Sequence, residues 1–100
     1  MLKKFSVSVS HSLGSADAVK PKLEQSTEDL GRRFPAASLH KSWAGLDCNL
    51  QGSLSGHSFL CSIRMSDSTV EAKGQCDLPM IVPISMVESK LRKWLQESLR

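Results

Sequence analysis

The chain has 100 residues, 13 of them Lys or Arg and 10 Asp or Glu, for a formal net charge of +3. An apolar fraction of 40% and a charged fraction of 23% are those of an ordinary globular chain, which excludes a disordered or fibrous one, and the length fits a single domain over residues 1–100 with a modest core. The bases are scattered, and only two tryptophans, three phenylalanines and no tyrosine are present, so neither a basic stripe nor a set of stacking platforms signals nucleic acid.

The first predicted element is a strand. Phe5, Val7, Val9 and His11 share one parity and Ser6, Ser8 and Ser10 the other, the period of a half-buried strand with His11 at its end. Gly14 and Ser15 supply a turn and an N-cap, and Asp17 stands where the helix dipole favours an anion. A helix should follow, with Val19, Leu23, Thr27, Leu30 and Phe34 on one stripe. Pro21 predicts a kink or a later start, and Pro35 predicts a stop by Phe34.

Four strands come next. SLHKSWAG is a weak strand whose buried side the pattern leaves open. LDCNLQG places Leu46, Cys48 and Leu50 inward, with a turn over Gly52 to Gly56, and HSFLCSIRMS places Phe59, Cys61, Ile63 and Met65 inward, with a turn at Asp67-Ser68. TVEAKGQCDL alternates most cleanly, with Val70, Ala72, Gly74, Cys76 and Leu78 inward. After the prolines at 79 and 83, Ser85 and Glu88 read as a capping box, and Val87, Leu91, Trp94 or Leu95, and Ser98 or Leu99 form the stripe of a second helix. The order β-α-β-β-β-β-α predicts an α+β fold: one mostly antiparallel sheet, dry on one face and wet on the other, with two helices on the dry face.

Few residues carry a chemical signal. The three cysteines share the inward parity, their spacing matches no zinc pattern, and the odd number without a CxxC fits a reducing compartment. No apolar run approaches the roughly 18 residues of a membrane span. The segment MLKKFSVSVS has a lysine pair without an apolar core after it, so the expectation is a cytoplasmic chain. No G-x-S-x-G, P-loop or G-x-G-x-x-G is present, so no catalytic residue, cofactor or metal site is assigned. The candidate ligand or surface contacts are His11, Trp43, His57 and Trp94.

FSVSVSHSLGSADAV with a helix behind it, Trp43-x-Gly45, the glycine turn QGSLSG, a hairpin, DLPMIVPI and a terminal helix together resemble the polyhydroxyalkanoic acid system, or granule-region, family of small bacterial proteins. The resemblance runs from about Phe5 to Leu99, and His11-x-Leu13-Gly14 is its most specific element. Ala44 and the placement of Asp47 after Leu46 depart from the family's pattern, as does Pro21. The resemblance implies a bacterial protein of the cytoplasm, at the surface of a polyester granule, without catalytic residues. The layout also looks like a reduced helix-grip architecture, by analogy of fold alone. The leading expectation is a non-enzymatic accessory or binding module at an apolar surface or on an apolar ligand. Two alternatives remain: a small hydrolase or metal-assisted enzyme using His11 and His57, and a homodimerising scaffold. An internal cavity between sheet and helices would favour a ligand carrier, and a filled core would favour surface binding.

Overall fold

A computed structural model describes residues 2–33, 38–54, 56–77 and 83–99. Its elements are β1 (Leu2–Ser10), α1 (Ala16–Arg33), β2 (His40–Ala44), β3 (Asp47–Leu54), β4 (His57–Met65), β5 (Thr69–Asp77) and α2 (Ile84–Ser98). The five strands form one antiparallel sheet in the order β1-β5-β4-β3-β2. The fold is α+β, with the element order the sequence predicts.

The dry face is built from the inward parity of each strand. Phe5, Val7 and Val9 of β1, Cys48 and Leu50 of β3, Cys61, Ile63 and Met65 of β4, and Val70, Ala72 and Cys76 of β5 are buried. They meet Ala16, Val19 and Leu23 of α1 and Leu95 and Leu99 at the end of α2 in one cluster. Val19, Leu23, Ile63, Val70 and Leu95 lie below 2% exposure, so the space between sheet and helices is filled by side chains. Burying each such aliphatic residue contributes about 1.5–3 kcal/mol, which is what holds the helices down. Thr27, the one polar member of the α1 stripe, is buried because its hydroxyl donates to the Glu24 carbonyl oxygen at 2.9 Å.

The helix starts differ from one another. At α1, Ser15 Oγ accepts from Ala18 N–H at 3.2 Å, the predicted cap, and a second acceptor comes from far along the chain: Asp67 Oδ1 takes Ala16 N–H at 3.0 Å. Of the kink or later start that Pro21 predicted, the later start does not occur. The helix begins at Ala16 and carries Pro21 on its exposed side, where the Asp17 carbonyl that loses its partner can turn to water. The expected stop at Phe34 and the inward placement of Leu78 lie outside the described residues.

At α2 the predicted capping box is corrected. Pro83 is the N-cap, no side chain caps the helix, and Glu88 Oε2 instead accepts from Ser6 N–H of β1 at 3.1 Å. β1 is an edge strand with unpaired amides, so Glu88 satisfies an orphan donor of the sheet rather than one of its own helix. The predicted turn over Gly52 to Gly56 is also too long. Gly52, Ser53 and Leu54 stay in the ladder opposite Phe59, Ser58 and His57, so only two residues separate the strands. Leu46 belongs to the β2–β3 hairpin loop rather than to a strand, beside Gly45, whose φ of 61° suits the first position of a two-residue loop between right-twisted strands.

Candidate functional site

The four residues singled out from sequence do not share a site. His11 follows β1 at the end of the sheet where β4 finishes, whereas His57 opens β4 at the other end, exposed and paired in register with Leu54. Eight strand steps separate the two ends, roughly 26 Å at 3.3 Å per residue. A shared metal or an acid–base pair of these histidines is therefore out of reach. Among the described residues there is also no group of three or more His, Cys, Asp or Glu able to hold a metal ion.

His11 is held by backbone. Its Nδ1 accepts from Leu13 N–H at 3.2 Å, so the neutral ring carries its proton on Nε2, which donates to the Ser66 carbonyl oxygen at 2.8 Å. His11 N–H also donates to the Ser68 carbonyl oxygen at 2.9 Å. With the Asp67 bond to Ala16, the β4–β5 turn is tied at three points to the junction of β1 and α1.

Trp43 lies half-buried on the helix side of β2, where Lys20 Nζ stands 5.6 Å from its ring centroid, a cation–π contact that clamps α1 to the edge strand. Lys41, on the same side, reaches Glu28 of α1 at 3.7 Å. Trp94 packs half-buried against the core and lines a shallow groove of ≈ 150 Å³ between α1 and α2. Both tryptophans are thus parts of the helix–sheet contact.

The cysteines are buried free thiols. Desolvation raises the pKa of all three, that of Cys61 to about 12 with the neighbouring Cys48 adding to the effect. None is a ready thiolate at neutral pH.

The concave region that the sequence does not disclose is on the other face. Two adjoining depressions of ≈ 560 and ≈ 440 Å³ share His40, Gln51, Leu60 and Gln75 in their walls, so together they make one trough over the open side of the sheet. The register explains the grouping: Lys4 faces Gln75, Gln75 faces Leu60, Leu60 faces Gln51 and Gln51 faces His40, a single row across all five strands. Leu60 is 47% exposed at the centre of this row, and Leu2, 61% exposed, lines the same trough one row away. Beneath it β5 approaches β4 closely at Gly74, where a Cβ would run into the Leu60 carbonyl oxygen. Only glycine admits that approach of β5 to β4.

Charge is uneven along this face. Lys4 and Lys73 line the trough, and Asn49, Gln51 and Gln75 supply neutral amides. The acids lie beside it: Asp47 is engaged by Arg64 at 3.1 Å, Glu71 faces Arg64 in the register, and Asp77 shares the row of Leu2. What the arrangement offers is an apolar spot flanked by amides, by ammonium groups and by the His40 imidazole. No family model, curated protein or solved structure matches this chain. Among the described residues no helix is long and apolar enough to cross a membrane.

Proposed function

We propose that this chain is a non-enzymatic binding module that works at an apolar surface through the open face of its sheet, the surface of a polyester granule being the one its sequence resemblance suggests. The observation that carries the reading is the pair of exposed leucines, Leu60 and Leu2, in a trough on the uncovered side of the sheet, while the side under the helices is filled. A filled core speaks for contact at a surface and against a ligand carried inside. The basic helix α2 does not supply the apolar contact, because Val87, Leu91 and Trp94 are packed on the core. One stripe cannot serve the core and a surface at once.

Co-sedimentation with purified polyester particles tests this reading. Wild-type chain should be recovered with the polymer, and the double variant Leu2→Ser, Leu60→Ser should remain in the supernatant with an unchanged melting temperature. Equal recovery with and without polymer would sink the proposal.

A further inference from the structure

The trough is more specific than an apolar patch, and we infer that it takes a linear aliphatic carboxylate, with Lys4 and Lys73 holding the carboxylate and Leu60 the chain. The inference rests on the open face being the binding surface and adds the chemical class of what it binds.

The argument begins with the register. Lys73 faces Ser6 and Lys4 faces Gln75, so the two lysines are diagonal neighbours on paired strands, roughly 7–8 Å apart. Each ammonium rides on a flexible four-carbon stem, so both can reach the two oxygens of one carboxylate. With nothing between them the two cations repel; a monoanion turns that repulsion into two charge-assisted contacts. Neither lysine is otherwise engaged to any purpose. Among the described residues Lys4 has no carboxylate partner, and Lys73 meets Glu71 only at 3.9 Å with both side chains largely in water, a contact of little worth.

The rest of the ligand follows from what lies next in the row. From Lys4 the row runs over Gln75 to Leu60, two strand spacings or roughly 10 Å. The centre of the trough is the aliphatic side chain of Leu60, with the His40 ring at the far end of the row on β2, and an aliphatic centre suits a hydrocarbon chain. A chain lying across the strands with its anion at β1 and β5 puts its methylenes on Leu60, and the amides of Gln75 and Gln51 flank it.

The test uses decanoate and decanol, kept below their aggregation limits, titrated into isotope-labelled full chain and followed by backbone amide shifts. Decanoate should move Lys4, Lys73 and Leu60, and its affinity should fall as salt rises. Lys4→Gln and Lys73→Gln should each weaken decanoate roughly threefold to tenfold and leave decanol unchanged, while Leu60→Ser should weaken both ligands. Equal binding of decanoate and decanol, insensitive to either lysine, overturns the carboxylate assignment and leaves the apolar reading standing. If neither ligand moves Leu60, both fall. The lysines are exposed, so their variants keep the wild-type melting temperature and report binding alone.

Discussion

The imidazole of His11 binds the Ser66 carbonyl oxygen at 2.8 Å and so joins the end of the first strand to the turn between the fourth and fifth. Around that bond the Asp67 carboxylate caps α1 and the Ser66 hydroxyl closes its own turn on Thr69. The histidine with the strongest sequence signal is thus a fastening in the scaffold, away from the trough.

That assignment predicts a stability effect. His11→Ala should cost about 1–3 kcal/mol, because the Leu13 amide and the Ser66 carbonyl lose a partner together, and Asp67→Ala should cost about 1 kcal/mol through the lost helix cap. Urea denaturation of the two single variants and the double variant checks both. The combined loss should differ from the sum, since both residues tie the same turn. An unchanged midpoint for His11→Ala would contradict the structural role.

Gly74→Ala should be costlier than its size suggests. The new methyl meets the Leu60 carbonyl oxygen in the backbone of β4, which cannot swing aside as a side chain can, so a loss of about 2 kcal/mol or more is expected. Gly56→Ala is the control: its φ of 80° is unfavourable for alanine but nothing lies within 4 Å of the added methyl, so the loss should be near 1 kcal/mol. Thermal melts of the pair separate the two origins, and equal losses would contradict the close strand approach at Gly74.

Alkaline pH should weaken the fold through Cys61. Burial lifts this thiol from its ordinary value of 9.0 to about 12, so above pH 9 the folded chain keeps a proton that the unfolded chain has released. The contribution is fully present below about pH 9 and is lost as the pH rises from there through 12. Urea midpoints at pH 7.5 and 10.5 should show the drop in wild type and a smaller one in Cys61→Ala. Identical drops in the two proteins would count against the assignment.

The two edges of the sheet are guarded in different ways. At β1 Glu88 occupies the Ser6 amide, whereas β2 has only five residues and turns the charged Lys41 toward the helix side, a placement that discourages a further strand. Light scattering with mass determination should find a monomer, and Lys41→Val should promote self-association. A wild-type dimer would show that the β2 edge is open to pairing.

Strand parity was legible in the sequence because a sheet wet on one side and dry on the other imposes a period of two on β1, β4 and β5. The weak signal of β2 reflects its place at the edge, where Lys41 and Trp43 share a side: one is held by Glu28, the other lies under Lys20. Spacing alone assigns Glu88 to the start of its own helix, whereas the fold brings the Ser6 amide of β1 within 3.1 Å of its carboxylate. The glycines and serines of QGSLSG look like a loop, yet Gly52 and Ser53 have backbone partners in β4 that hold them in the ladder. The trough was hidden for a related reason. Lys4, Leu60 and Gln75 each look like ordinary members of a solvated face, and only the register sets them side by side.

The strand order has a consequence for how the chain reaches this state. β2 to β5 are successive hairpins that can close locally, but among the described residues β1 pairs only with β5, Val9 opposite Val70. That closure spans most of the chain and must come late, after the hairpins have shortened the loop it has to bridge. A nascent chain that stops before Thr69 has no partner for FSVSVS, and Phe5, Val7 and Val9 wait in water as an unpaired β-prone segment. The period of greatest aggregation risk is therefore during synthesis, and it ends when the fifth strand emerges.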